Sequence, residues 1–213
     1  MTTPDHQSPA SDASRPQSPD RIYRSPAGIA GGVLLLAIAG WLGIDALIAG
    51  HGRTPWLALA SLILLVPLVV AFTLRPAVYA NEDRLRVRNP FRLIVLPWAT
   101  VASLRSGYSN EVVDASGTKY QLWAVPVSLR GRKRAARRQA RGAAADSSGR
   151  TSAIATESPR AQGDQIMDDL RELADTRAAA QTSQGEVTVR WAYEVVGPAV
   201  AGAVLLVILL LMG

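Results

Sequence analysis

The sequence predicts a membrane protein in which three transmembrane helices carry a small cytoplasmic β domain, a meander capped by one amphipathic helix. Three observations predict this fold class: three apolar segments of bilayer length, a strand-like segment after the second of them, and a helical pattern before the third. Hydrophobic residues make up 48% of the 213 residues and charged residues 19%. This composition excludes a mainly disordered chain.

The chain begins with residues 1–26, a polar tail that we expect to be disordered. Residues 27–74 then form a hairpin of two predicted spans, at residues 29–50 and 56–74. A bilayer core of about 30 Å needs ~20 helical residues, and a helix satisfies its own backbone groups in lipid. The first span is too long for a cleaved signal sequence, so we interpret it as a retained anchor.

Asp45 is the single charged residue within the predicted spans. An acid inside a membrane can relay protons or meet a substrate. Asp45 lies five residues before Gly50, about 7.5 Å of helix, so it can also reach the outer interface near Arg53, which is the interpretation we favour. Pro67 is expected to bend the second span.

The distribution of basic residues predicts the orientation in the plasma membrane. The loop between the first two spans holds only Arg53, whereas the other 22 of the 23 Lys and Arg lie in the tail or in residues 75–190. Because Lys and Arg accumulate on the cytoplasmic side, we expect the tail and residues 75–190 to be cytoplasmic. Residues 191–213 supply the third span, from residue 195 onward, and are predicted to end at the outer face.

Residues 75–127 show a strand pattern, because short runs rich in Val, Leu, Tyr and Trp are separated by turn residues. Leu85 and Val87 alternate with arginines, so one face of this strand is apolar and the other basic. The whole segment predicts a β domain of five or six strands. Its predicted basic face comprises Arg84, Arg86, Arg88 and Arg92.

Residues 128–163 break the strand pattern. Their first part carries a basic run, and Ala, Ser, Gly and Thr dominate the rest. We interpret this segment as a basic disordered linker. The basic run places seven positive charges within twelve residues: Arg130, Arg132, Lys133, Arg134, Arg137, Arg138 and Arg141.

Residues 164–180 carry a helical pattern. Ile166, Leu170 and Leu173 recur at helical spacing, while the charged residues between them point elsewhere. Asp164 suits the N-cap position, where a carboxylate accepts hydrogen bonds from free backbone N–H groups. The pattern predicts an amphipathic helix ahead of the third span.

Four stretches of the β segment are similar to a known family. They are Arg75-Pro76-Ala77-Val78, Leu85-Arg86-Val87-Arg88-Asn89-Pro90, Leu96-Pro97-Trp98-Ala99-Thr100-Val101 and Leu122-Trp123-Ala124-Val125-Pro126-Val127. Residues 75–130 resemble the bacterial PH-domain family of low-molecular-weight protein antigen 6, most recognisably in Pro97, Trp98 and Val101. The resemblance implies an actinobacterial membrane protein with a split PH-like β domain, in a family without a settled biochemical activity.

The resemblance also implies that the helix at residues 164–180 completes the PH-like domain across the linker. A sheet with one open face needs such a partner to bury its apolar side chains. We therefore expect Ile166, Leu170 and Leu173 to pack on apolar residues of the β segment. These residues are Leu85, Val87, Leu104 and Leu122.

The composition excludes several kinds of chemistry. The chain has no cysteine, which removes disulfides, iron–sulfur clusters and thiol nucleophiles. Its two histidines, His6 and His51, lie in the tail and in the loop between the first two spans, so a histidine zinc site or a catalytic triad is not expected. We expect no catalytic residue, no metal and no cofactor.

The sequence therefore favours a non-enzymatic scaffold or adaptor that binds a protein partner or an anionic lipid through the basic face and the basic linker. Each Lys or Arg near an anionic leaflet contributes ~1 kcal/mol, although the same residues can simply set the orientation and stay solvated. Two alternatives remain: a membrane-tethered nucleic-acid-binding protein that uses the linker, and a subunit of an oligomeric transporter, indicated only by Asp45 and Pro67. The partner and the oligomeric state stay open.

Overall fold

The computed structural model describes residues 18–127 and 162–212. The first 17 residues of the predicted tail and most of the predicted linker lie outside these ranges. The seven residues of the basic run, from Arg130 to Arg141, therefore lie outside the described residues as well.

Four α-helices are present in the described ranges. They are α1 (Pro26–Ile48), α2 (Thr54–Val69, continued by a π-helical turn at Val70–Leu74), α3 (Gln162–Arg177) and α4 (Tyr193–Leu211). Helices α1, α2 with its π-helical turn, and α4 are long and apolar enough to cross a membrane, with mean hydropathies of 2.1, 2.7 and 2.4. They correspond to the three predicted spans.

The ends of the first two helices follow from local chemistry. Helix α1 begins after Ser25, whose Oγ accepts a hydrogen bond from the Gly28 backbone N–H at 3.2 Å, with proline at the first helical position. Pro67 lies inside α2, and the helix widens into the π-helical turn three residues later. There the Arg75 N–H bonds to the Val70 carbonyl at 2.8 Å, five residues back.

Helix α2 packs between α1 and α4. Glycines mark the closest approaches. The Leu62 side chain of α2 fills the space beside Gly43 of α1, and the Ile63 carbonyl carbon would lie 2.8 Å from a Cβ at Gly202 of α4. Small residues at these positions let the helix backbones approach each other, which is how apolar helices associate where no hydrophobic effect drives them together.

The strands form two antiparallel sheets. They are β1 (Arg21–Tyr23), β2 (Ala77–Ala80), β3 (Arg84–Arg88), β4 (Arg92–Pro97), β5 (Val101–Ser106), β6 (Asn110–Asp114), β7 (Lys119–Gln121) and β8 (Thr188–Trp191). The larger sheet has the order β1-β2-β3-β4-β8 and the smaller one β5-β6-β7. Six strands lie within residues 75–127, but two come from outside that segment.

The first of these outside strands corrects the predicted tail. Residues 18–25 are not disordered, because β1 pairs with the open edge of β2. The Asp20 carboxylate also accepts a hydrogen bond from Asn81 Nδ2 at 3.1 Å, and Ser18 Oγ accepts one from the Glu82 N–H at 3.0 Å. A three-residue strand is too short to show a period of two in the sequence, so β1 can be recognised only from its pairing with β2.

The core lies between the two sheets and α3. Trp98 is buried, and its indole N–H donates to the Asn81 carbonyl oxygen at 2.8 Å. From α3, Ile166, Met167 and Leu170 are buried in the same core, and Leu173 packs at its margin. The sheet residues buried around them include Leu85, Val87, Leu104 and Leu122.

All three apolar helices join the larger sheet at one end. Strand β1 leads directly into α1, α2 leads into β2, and β8 leads into α4. We call this the span end of the sheet; it contains Tyr23, Ala77, Arg88 and Trp191. The opposite end, made by residues 81–84 with Pro97 and Thr188, is the far end. The helix directions therefore place β1 and the β domain on the same side of the three apolar helices.

A basic cleft at the span end of the sheet

The two faces of the larger sheet carry different chemistry. In β3, Leu85 and Val87 point into the core, and Arg84, Arg86 and Arg88 point away from it. We call the second face the outer face. The predicted alternation of apolar and basic residues is therefore present in this strand.

Arg92 does not lie on the outer face, which corrects the predicted four-arginine surface. Arg88 pairs with Leu93 across the turn, and paired residues point to the same face of the sheet. Leu93 therefore faces outward, and its neighbour Arg92 faces the other way. Arg92 is instead paired with Trp191 of β8, and its guanidinium carbon lies 4.3 Å from the centre of the Trp191 ring. It makes a cation–π contact on the opposite side of the sheet.

The remaining three arginines are spread along the strand. Arg84 is exposed at the far end, whereas Arg86 and Arg88 line a cleft of about 270 Å³ toward the span end. Most small-molecule sites are larger, ~300–1,000 Å³, so the cleft suits a small group better than a whole cofactor. Its lining residues are Arg75, Tyr79, Arg86, Arg88, Leu93 and Glu194.

Arg75 connects two of the apolar helices at the floor of the cleft. It follows the π-helical turn of α2 directly, and its side chain is only 7% exposed. Its guanidinium pairs with Glu194 in the first turn of α4 at 2.8 Å, and its Nε donates to the Asn89 carbonyl oxygen at 3.3 Å. Arg75 therefore fixes the start of α4 and the β3–β4 turn against the end of α2.

Arg86 is held from two sides. Its guanidinium forms an ion pair with Asp20, which β1 brings to the sheet edge, and lies 5.5 Å from the centre of the Tyr79 ring. Its Nε is buried and has no hydrogen-bond partner among the described residues. Asp20 and Tyr79 therefore fix the position of the Arg86 guanidinium in the cleft.

Tyr79 brings further arginines to the cleft. The Arg24 guanidinium donates to its phenolic oxygen at 3.3 Å. Burial raises the pKa of Tyr79, but hydrogen bonds from Arg24 and Arg88 outweigh it, and the pKa lies below its ordinary value of 10.0. The lowered pKa reports the positive potential around this side chain.

The charge of the cleft favours an anion. Five arginines lie in or beside the cleft: Arg75, Arg86 and Arg88 line it, Arg24 bonds to Tyr79, and Arg190 is paired with Leu93 and faces the same side. Two carboxylates, those of Asp20 and Glu194, oppose them. The net charge of all these groups is +3. The lining holds no serine, cysteine or histidine, and the described part of the chain contains no group of three metal-ligating side chains. The arrangement is suited to binding an anion.

Sequence reasoning identified Arg86 and Arg88 but missed the rest of the cleft. Arg75, Tyr79 and Glu194 come from the end of α2, from β2 and from the start of α4. Tyr79 lies between Val78 and Ala80, which are both buried, and the alternation of these residue types is a signal that could have placed it on the outer face. The meeting of Arg75 with Glu194 depends on how the helices enter the sheet, which no local pattern shows.

Residues 75–150 match the family model of the bacterial PH domain. The match covers about a third of the chain and contains all of β2 to β7. The match confirms the resemblance of this part of the chain to bacterial PH domains, which Pro97, Trp98 and Val101 had indicated. No curated protein and no solved structure matches the chain.

Proposed function

Given a bacterial PH domain joined to three apolar helices, we propose that the protein is a non-enzymatic scaffold of the plasma membrane that binds an anionic lipid headgroup in the basic cleft. In this proposal the three helices cross the membrane, and β1 and the PH domain lie on the cytoplasmic side. The positive-inside rule supports this orientation, because only Arg53 lies on the opposite side. The proposal also includes the antigen 6 subtype of the family.

The position of the cleft is the observation that carries the proposal. Arg75 directly follows one predicted span, and Glu194 is the second residue of α4, the helix that contains another. Both line the cleft, so it opens at the depth where lipid headgroups lie. A phosphate there would meet the guanidinium groups of Arg86 and Arg88, and guanidinium–phosphate hydrogen bonds are among the strongest that proteins make.

A headgroup fits the cleft better than the other partners that the sequence left open. A protein partner would have to reach residues beside the membrane surface. Nucleic-acid binding rested on the basic run, which lies outside the described residues. The transporter alternative has no observation beyond Asp45, which is exposed on α1, and Pro67.

The test uses the full chain in a neutral detergent. Short-chain phosphatidylglycerol and phosphatidylcholine are added separately, and the thermal unfolding midpoint is measured at low and high salt. We expect phosphatidylglycerol to raise the midpoint more, and high salt to reduce the difference. The variant with both Arg86→Gln and Arg88→Gln should bind roughly 30-fold more weakly, because each arginine contributes ~1 kcal/mol.

Arg84→Gln is the control for position, since it removes one arginine from the same strand and face but at the far end. It should keep the preference for phosphatidylglycerol. A preference that survives the double variant would place the lipid site outside the cleft and overturn the proposal. Equal responses to both lipids in the unaltered protein would overturn lipid selectivity itself and leave a protein partner.

A further inference from the structure

A group of aromatic side chains lies on the span end, apart from the basic cleft. The Phe72 ring in the π-helical turn of α2 meets the Phe91 ring at 5.3 Å between centres and the Trp123 ring at 5.5 Å, both in edge-on geometry. Phe91 belongs to the β3–β4 turn, and Trp123 follows β7. Two loops of the PH domain therefore touch the surface of a predicted span.

These rings are not buried by their neighbours. Phe72 is 43% exposed and Trp123 is 46% exposed. Trp191 is 49% exposed, and the N–H of the following residue, Ala192, donates to the Phe91 carbonyl oxygen at 2.9 Å, so the backbone of Trp191 lies beside the β3–β4 turn. We call Phe72, Phe91, Trp123 and Trp191 the aromatic patch. Half-exposed aromatic side chains grouped in this way mark an interaction surface.

The patch is rigid. Asn89 Nδ2 donates to the Gln121 carbonyl oxygen at 2.9 Å, which joins the β3–β4 turn to the end of β7. The hydrogen bond from Ala192 joins the same turn to the start of α4. The patch residues from the PH domain are thus held in place against the helices that carry the domain.

We propose that the aromatic patch inserts into the interfacial layer of the bilayer that holds the helices, so that the PH domain rests against the membrane in one fixed orientation. The occupant of this surface is the glycerol and headgroup region of the lipid. The patch is continuous with a predicted span through Phe72. Trp side chains concentrate in this layer because a largely apolar ring carries one polar N–H, and the Phe rings add apolar surface beside them.

Arg92 supports the same orientation. It lies over the Trp191 ring, at 4.3 Å from its centre, and is exposed. A cation on this side can meet lipid phosphates while the ring below it stays in the apolar part of the interface. In this proposal Arg92 anchors the domain through lipid phosphates at a place apart from the basic cleft.

The inference rests on the membrane insertion that the proposed function includes, but it does not depend on anionic lipid. Burial of aromatic surface drives it, so it should hold in a bilayer of phosphatidylcholine alone. The experiment is therefore done in that neutral lipid, where failure of the cleft to bind an anionic headgroup has no effect on the result.

The absence of cysteine from the sequence allows single nitroxide labels to be attached at chosen sites. The variant Trp123→Cys is labelled in the full chain. Glu82→Cys at the far end serves as the aqueous control, and Leu65→Cys, exposed in the middle of α2, as the membrane control. Collision rates with oxygen, which concentrates in lipid, and with a water-soluble nickel complex are measured by electron paramagnetic resonance.

We expect the label at position 123 to collide with the nickel complex several-fold less often than the label at position 82, and to lie at a shallower depth than the label at position 65. Equal nickel accessibility at positions 123 and 82 would overturn the inference. If position 65 is also water-accessible, membrane insertion fails first, and with it the proposed function.

A second measurement covers the case in which Trp123→Cys does not fold. Fluorescence of the unaltered protein and of Trp123→Phe is compared in phosphatidylcholine brominated near the headgroup. The difference between them isolates the emission of Trp123. We expect the bromines to quench this emission, and unquenched emission would overturn the inference.

Discussion

The two ends of the larger sheet are built from the same strands but use their polar groups differently. At the far end, polar groups bond to one another: Asn81 Oδ1 accepts from the Arg84 N–H at 2.9 Å, and Ser183 Oγ donates to the Glu82 carbonyl oxygen at 3.1 Å. Glu82 also pairs with Arg177 of α3 at 2.8 Å. Toward the span end, the cleft sets Arg75, Arg86 and Arg88 against two carboxylates, those of Glu194 and Asp20, so positive charge is left over there.

Within one sheet, the far end therefore contributes to the stability of the fold, and the span end contributes to binding in the proposed function. At the far end, polar groups at the edge of the core are hydrogen-bonded to one another. At the span end, where the three apolar helices join the sheet, positive charge and aromatic surface are exposed. Changes at the far end should therefore reduce stability and leave lipid preference intact. Changes at the span end should do the reverse.

The largest expected effect is at the far end. Trp98 is 0% exposed, and its indole N–H is bonded to the Asn81 carbonyl oxygen. Trp98→Ala should lower the free energy of unfolding by about 3–5 kcal/mol, because it leaves a cavity in the core. Trp98→Phe keeps most of the ring but leaves the carbonyl unpaired, so its loss should be about 1–3 kcal/mol.

Thermal unfolding of the full chain in detergent measures both losses. The Trp98→Phe variant should keep the preference for phosphatidylglycerol. A lost preference in a protein that still folds would show that the two ends are coupled and would break the comparison.

A smaller effect is expected at the span end from pH. Hydrogen bonds from Arg24 and Arg88 place the pKa of Tyr79 below 10.0. As the pH rises through this lowered pKa, the phenol becomes negative and opposes an anion in the cleft. Binding of phosphatidylglycerol should therefore weaken in the alkaline range, by several-fold. Tyr79→Phe should bind with a flatter pH profile, measured by the lipid-induced shift of the unfolding midpoint.

The smallest effect is expected from removal of the segment between the two described ranges. Asn110 Nδ2 donates to the Val125 and Pro126 carbonyl oxygens at 3.3 and 3.4 Å, and Gly163 packs against the same Pro126 carbonyl. The two ends of the segment are therefore held together by described residues. Replacing residues 128–161 with a short Gly-Ser linker should leave the domain folded.

This replacement also removes all seven residues of the basic run. If the cleft selects the lipid, the preference for phosphatidylglycerol should change little. A preference abolished by the replacement, with an unchanged unfolding midpoint, would assign lipid recognition to the basic run.

Local sequence patterns predicted the helices and most of the strands. Pairing between segments far apart in the chain determines which residues meet in the cleft. The spans are recognisable from their apolar composition and the amphipathic helix from its hydrophobic periodicity. Leu85 and Val87 define the apolar face of β3, because they alternate with arginines. Strands β1 and β8 have only three and four residues and depend on a neighbouring strand for pairing. Arg92 was placed on the wrong face because the face of a strand depends on the number of residues in the preceding turn.

The same reasoning explains why the cleft could be found only in part. Arg86 and Arg88 lie on one strand, whereas Arg75 and Glu194 are 119 positions apart in the chain. Their ion pair follows from the way that two helices enter one end of a sheet. Charge patterning along the sequence carries no information about such a junction.

The most direct test of the account is native mass spectrometry of the full chain with equal amounts of phosphatidylglycerol and phosphatidylcholine. Arg88→Gln at the span end is compared with Arg84→Gln at the far end, two equal charge changes on one strand. The account predicts that phosphatidylglycerol adducts predominate for the unaltered protein and for Arg84→Gln, and fall severalfold for Arg88→Gln. Equal losses in both variants would contradict it, because net charge rather than the cleft would then determine the binding.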